Sequence, residues 1–495
     1  MKHWIASSVI YQINLRGLAA REPRNAIEAA KEKPPADSPL VYVAKNLATI
    51  KKLGANVLYF MPPYPIGHAF RKGIGSPYSI RDFKAIEPEY GTLDEMKALV
   101  RKAHRLGFKV IFDITPNHTS RDNVWVTRHP EFYVKRDNGE IFYDCDWSDT
   151  AKLDYTQPAL RRKMVEIYDY WLDLLGDGDG IDGFRLDMAH FINDKSFWNE
   201  AMPELRARHA GRELLFLAEC YGIGNNIDLF DRGINAAYDD DFYKVCANFY
   251  GITEEGRSAI VPAAGLAGNH DFKDRYEAFL HGGIAGAFER ALLNYEEKYR
   301  EAGAPFVARY SDNHDEGRGF YLFGPEATQA INMLVFMAPR TLPFILTGEE
   351  FGAVNRPPIH DRMNPIGKRR RIQCADHVRE QESVEFEGNS FARDPKERKA
   401  IYTLFQALIR MRLKNKAFAD GSFKLVDAGE DCQPNQRSVV AFERTLGKTT
   451  IRCAVNMGPH ERRLRKAGLF GGRVLFGGLK GAALPAFSAI ATRAG

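Results

Sequence analysis

Apolar residues in the first third of the chain recur at helical spacing, and each run is followed by a glycine and a short β-branched stretch. Leu47, Ile50 and Leu53 share one helical face, Gly54 offers a left-handed cap, and residues 57–60 read as a buried strand. The unit then repeats. Thr92 and Glu95 have capping-box spacing. Leu93, Met96, Leu99, Val100 and Ala103 give the next apolar face, Gly107 ends it, and 110–114 is the next strand. Thr156 and Pro158 open a third helix with Leu160, Met164, Ile167 and Trp171 facing inward, followed by a strand at 183–187. Further strands are expected at 215–219, 236–238, 307–310 and 344–347, and a first one at 9–13 brings the number to eight.

Strands alternating with helices imply a parallel sheet with right-handed crossovers, and eight strands close a (β/α)8 TIM barrel. An open doubly wound sheet would carry a glycine-rich phosphate loop after a strand, and none is visible. Two segments break the alternation. Residues 119–154 are polar and aromatic with turn signals at Asn138 and Gly139, which predicts a small excursion domain after the third strand. Beyond about 415, short alternating runs at 439–442 and 450–455 predict a C-terminal antiparallel β-sandwich. The expected division is a barrel at 1–118 and 155–414, the excursion at 119–154, and the sandwich at 415–495. Residues 17–40 form a polar, proline-containing insertion with no readable role.

Composition narrows the function class. A hydrophobic content of 44% suits a large core, and 69 basic against 64 acidic residues leave a net charge of only +5. The one dense basic run, Lys368, Arg369, Arg370 and Arg371, reads as a solvated loop, so no nucleic-acid partner is expected. The apolar stretch at the N-terminus is short and interrupted, a better first strand than a secretion signal, and no segment approaches the roughly 20 apolar residues that span a bilayer. A soluble, cytoplasmic protein without a membrane partner is expected. Six scattered cysteines show no paired spacing and no zinc pattern, and they read as reduced thiols. Oligomeric state leaves no mark on the pattern.

The chemistry lies where the strands end. The third strand ends in Asp113, Asn117 and His118, the fourth in Arg185, Asp187 and His190, and the fifth in Glu219. His314 and Asp315 follow the seventh. One aspartate at a strand end is most often a helix cap. Four polar clusters at four strand ends of one barrel exceed that explanation, because burying so many charges is costly unless they are paired and used. Arg185 and Asp187, two apart on a strand, point to the same side.

These segments resemble, in order and in spacing, the four signature regions of the α-amylase family of glycoside hydrolases and transglycosylases (glycoside hydrolase family 13). The resemblance runs over nearly the whole chain. It implies Asp187 as nucleophile, Glu219 as general acid/base, and Asp315 as a supporting acid that contacts sugar hydroxyls. Arg185 would hold Asp187 ionised, and the apolar run before Glu219 suits a carboxyl of raised pKa. The resemblance also implies substrate-binding roles for Tyr78, His118, His190 and His314, with Asp113 supporting from behind. Ser76 stands where the family often has a histidine, and His190 where many members carry lysine. Asn117 matches an asparagine that binds a structural Ca²⁺ in many α-amylases, but Lys152 falls at a companion aspartate. An ammonium there would bond Asn117 and replace the ion, so no metal and no other cofactor is expected.

The implied activity is retaining cleavage of α-1,4-glucosidic bonds in maltooligosaccharides or related α-glucans. The same residues would serve an α-glucanotransferase, or a relative acting on trehalose or sucrose. A non-catalytic binding subunit is the contrasting class; such relatives lose one or more of the acids, and here all three are present.

Overall fold

The computed structural model describes residues 3–19, 37–250, 270–303, 305–354, 359, 385–386, 389–390 and 395–494. The basic run at 368–371, Cys374 and most of the 17–40 insertion lie outside them.

Eight parallel strands close a barrel: β1 (Ile10–Ile13), β2 (Val57–Phe60), β3 (Lys109–Ile114), β4 (Gly183–Leu186), β5 (Leu215–Ala218), β6 (Ala236–Tyr238), β7 (Phe306–Arg309) and β8 (Thr341–Leu346). They are joined in chain order, and β1 pairs with β8 to complete the ring, Ile10 opposite Phe344. Their residues are almost uniformly buried, as in a parallel sheet covered on both faces. The covering helices form for local reasons. Ser38 caps the helix Pro39–Leu53 by accepting from the Val41 N–H, and Gly54 ends it at φ 109°. Thr92 and Glu95 make the reciprocal capping box of Leu93–Arg105. The helix Pro158–Leu172 buries Leu160, Met164, Ile167 and Trp171, and the Trp171 ring meets Phe112 of β3 edge-on at 5.4 Å. No described helix is long and apolar enough to cross a membrane.

The excursion after β3 leaves and returns at one point. His118–Ser120 pairs antiparallel with Thr150–Lys152, with His118 opposite Lys152, so both ends of the segment are fixed beside the exit of β3.

The C-terminal region holds β9 (Ser422–Leu425), β10 (Val439–Leu446), β11 (Thr449–Asn456), β12 (Arg473–Gly477) and β13 (Ala489–Arg493). They form one antiparallel sheet in the spatial order β9-β10-β11-β13-β12. Period-two alternation sorts its side chains. Val440, Phe442, Ile451 and Cys453 join the main core, while Val439, Ala441 and Ala454 pack with Leu464 and Leu484 of a small two-stranded ribbon on the other face. Two buried arginines, Arg444 of β10 and Arg412 of the helix Pro395–Lys414, fasten the C-terminal elements to the barrel. Arg412 donates to the Phe336 carbonyl at 3.0 Å and Arg444 to that of Met337 at 3.2 Å, so both cations sit on the C-terminal carbonyls of the helix Pro325–Met337. The five described cysteines are all free thiols.

Candidate active site

The barrel ladder itself sets the positions. Asp113 on β3 lies directly opposite Arg185 on β4. Pairing then runs one residue past the strands: the Asp187 N–H donates to the Ile114 carbonyl, and the Glu219 N–H to that of Leu186, each at 2.9 Å. Asp113, Arg185, Asp187 and Glu219 thus stand on three adjacent strands at one rim.

Arg185 organises the carboxylates. It is fully buried, and one terminal nitrogen, Nη1, donates to Asp187 at 2.7 Å and to Asp113 at 2.9 Å. The other, Nη2, lies 2.9 Å from Glu219 Oε2, an ion contact that is not aligned as a hydrogen bond. The rings of Tyr78 and Tyr238 flank the guanidinium at 5.6 and 5.5 Å, adding cation–π attraction. Tyr59 and Tyr78 donate to Asp113 Oδ2 at 2.6 and 3.0 Å, so this carboxylate is bonded on both oxygens.

Three carboxylates and one guanidinium share a space nearly sealed from water. One positive charge does not balance three negative ones, and such a cluster is driven to hold a proton. Burial and the Glu219 charge push Asp187 well above the usual carboxylate range, against the pull of Arg185. Burial raises Asp113 too, again opposed by Arg185. The sequence places the raised carboxyl at Glu219 and expects Arg185 to keep Asp187 charged. In the structure burial, joined by the Glu219 charge, pushes Asp187 upward even though Arg185 bonds it.

Glu219 is held from three directions. Its Oε2 accepts from the Met188 N–H at 3.0 Å and its Oε1 from the Tyr221 hydroxyl at 2.6 Å, besides the contact to Arg185. Met188 has φ 43°, rare for a residue other than glycine, and this turn aims its N–H at Glu219. The Ala189 N–H, bonded to the Glu219 carbonyl at 3.2 Å, fixes the same turn.

A cavity of about 540 Å³ opens over this rim, lined among others by Tyr78, His118, Trp147, Asp187, Glu219, Tyr221 and Asp315. Of the residues singled out in the sequence, Tyr78, His118 and the three acids reach it. Asp113, Arg185 and His314 lie beneath, each at 1% exposure or less. His314 stacks on Tyr78 with ring centres 5.8 Å apart, takes a 2.8 Å bond with Gln12 through Nδ1, and contacts Asp315 at 3.0 Å through Nε2. His190 sits behind Tyr221, ring centres 5.9 Å apart, and burial lowers its pKa. Burial also brings His118 down to about 4, so at neutral pH it is an uncharged donor and acceptor.

Tyr221, Met188 and Trp147 are among the lining residues that the sequence reading missed, with Lys72, Asp146, Asp149 and Thr150. Tyr221 carried a usable signal, since it stands two positions after Glu219, where strand alternation returns a side chain to the same face.

The expected bond between Lys152 and Asn117 is not formed. Lys152 Nζ instead donates to both oxygens of Asp144, at 2.7 and 2.9 Å, and to the Phe191 carbonyl at 3.0 Å, while Asn117 Nδ2 donates to Asp144 at 2.7 Å. Asp144 lies between the two residues, and Asn117 Oδ1 is buried without a partner. The ammonium thus has the oxygen surroundings that a bound cation would need. No group of three or more His, Cys, Asp or Glu side chains suited to a metal occurs among the described residues.

Residues 39–214 match the family model for the alpha amylase catalytic domain. Over 498 residues the chain is 23% identical to Alpha-amylase 3 of Dictyoglomus thermophilum, covering 92% of this chain and 85% of that protein. It is 32% identical over 200 residues to an alpha-1,4-glucan:maltose-1-phosphate maltosyltransferase of Rhodospirillum rubrum, a match spanning 36% of this chain and 28% of the relative. A noncanonic maltogenic alpha-amylase of Thermotoga neapolitana superposes with a TM-score of 0.67 at 21% identity, covering 99% of this chain and 97% of that one.

Proposed function

Because the chain belongs to the α-amylase family of glycoside hydrolases and transglycosylases, we propose that it is a retaining enzyme cleaving α-1,4-glucosidic bonds of maltooligosaccharides or related α-glucans. One observation carries the reading: a single buried guanidinium bonds Asp187 and touches Glu219 at the floor of a cavity whose lining also includes Asp315.

In this reading Asp187 attacks the anomeric carbon while Glu219 protonates the departing glycosidic oxygen, leaving a covalent glycosyl-enzyme. Glu219 then takes the proton of the incoming acceptor, which displaces Asp187 and restores the original anomeric configuration. Water as acceptor gives hydrolysis, and a sugar hydroxyl gives transfer. The transition state carries positive charge on the sugar ring, and the excess of carboxylate over guanidinium charge beneath the cavity suits it. Asp315 at the rim and neutral His118 bond sugar hydroxyls. Tyr221, by donating to Glu219, orients the acid/base and steadies its anionic form between half-reactions. The free thiols among the described residues agree with a cytoplasmic setting.

Lys152 stands in for a structural Ca²⁺ in this reading. A divalent ion placed against its ammonium would meet direct repulsion, and Asp144, the carboxylate such an ion would use, is already held by that ammonium.

Product analysis on a series of maltooligosaccharides tests the activity. Shorter products alone indicate hydrolysis, products both longer and shorter indicate transfer, and no turnover of any α-glucoside contradicts the reading. Asp187→Ala and Glu219→Gln each lower kcat by about 10³-fold or more with the far-UV CD spectrum unchanged.

The pH profile of kcat/KM tests the charge balance. Asp187 must be ionised to attack. Its raised pKa means activity is lost, as pH falls, at a higher pH than an ordinary carboxylate would give. Tyr221→Phe lowers kcat about tenfold, in line with loss of a charge-assisted hydrogen bond, and moves the alkaline limb to higher pH while leaving the acid limb nearly in place. A profile identical to wild type removes Tyr221 from the machinery.

Exhaustive dialysis against EDTA leaves both activity and Tm unchanged. A loss of either that Ca²⁺ restores overturns the role given to Lys152.

A further inference from the structure

Sharing no residue with the catalytic cavity, a second cleft of about 440 Å³ lies between the helix Pro395–Lys414 and the C-terminal sheet. Arg410, Lys414, Arg473 and Arg493 line it, and no carboxylate does. Arg410 and Lys414 are four residues apart on the helix, on one face, where like charges destabilise. Arg473 on the edge strand β12 lies directly opposite Arg493 on β13, and directly opposed residues of an antiparallel pair share a face. Two mutually repelling pairs therefore face one another across a single cleft. No carboxylate among the described residues forms an ion pair with any of the four.

The cleft also holds an unsatisfied donor. Arg493 Nη2 donates to Asn415 Oδ1 at 3.2 Å, and Asn415 is fixed for this by its own 2.6 Å bond to the Met411 carbonyl. Arg493 Nε is buried with no partner. Protection of an exposed sheet edge accounts for one charge on β12. It accounts neither for a second charge opposite it nor for two more on the facing helix. One wall is apolar, formed by Ala407, Val474 and Leu475, with Val474 at 56% exposure.

We infer that this cleft binds a small phosphate-bearing molecule. Arginine forks match phosphate oxygens, a phosphate dianion relieves both repelling pairs at once, and the apolar wall takes the organic part of a phosphomonoester. The volume lies in the range of small-molecule sites. The inference is independent of the catalytic reading, since none of these residues belongs to the catalytic rim.

Thermal unfolding and titration calorimetry of the full chain in chloride buffer, with inorganic phosphate, glucose 1-phosphate, AMP and glucose as separate probes, test it. Saturable stabilisation by at least one phosphate, with Kd below about 1 mM, and none by glucose supports the site. A gain for the phosphomonoesters over inorganic phosphate assigns the apolar wall, and equal affinity assigns the phosphoryl group alone. Arg473→Gln supplies a signature that an ordinary surface charge would lack. It raises Tm in chloride buffer without phosphate, by removing repulsion with Arg493, and weakens phosphate binding at least about tenfold, with α-glucan turnover unchanged. Stabilisation absent with every phosphate, undiminished in Arg473→Gln, or given only by a long polyanion such as heparin overturns the inference.

Discussion

One buried positive charge governs the catalytic end of this barrel. Arg185 is sealed from solvent on β4 and reaches Asp113, Asp187 and Glu219, which come from three neighbouring strands. Without it, three carboxylates would share a desolvated pocket, and their mutual repulsion would splay the rim. With it, they are drawn to within hydrogen-bonding reach of one group, but its charge is too small to satisfy all three. Burial, with the Glu219 charge, pushes Asp187 upward, and the shortfall leaves the rim with surplus negative potential where a glycosyl cation would form.

The fold supplies what the charge cannot. A closed parallel ladder places Asp113 level with Arg185 and carries pairing one residue further, to Asp187 and Glu219. Tyr78 and Tyr238 wall the guanidinium, Tyr59 bonds Asp113, and the antiparallel pair at the root of the excursion sets His118 beside the mouth. Side chains on rigid strand ends need little rearrangement to act.

Much of this was legible in the sequence, because it depends on local periodicity. The eight barrel strands lie at the expected positions to within three residues at either end, and the caps at Gly54, Thr92 and Gly107 follow from short-range rules. The C-terminal region alternates as expected, as a five-stranded antiparallel sheet with a small two-stranded ribbon. What was not legible depends on contacts between distant residues. The positive φ of Met188 is set by the turn that bonds Glu219. Lys152 meets Asp144 rather than Asn117 because the excursion folds an aspartate eight positions away back into the gap. The direction of the pKa shift at Asp187 depends on burial and on the Glu219 charge, and no run of residues displays that.

The central claim is that the carboxylate bonded to Arg185 is the nucleophile. A 5-fluoro-α-glucosyl fluoride, which forms the glycosyl-enzyme faster than it is released, tests it by peptide mass spectrometry. The account predicts one added glycosyl group, on the peptide carrying Asp187. A label on Glu219 or Asp315, or turnover with inversion at the anomeric carbon and no trapped enzyme, would contradict it.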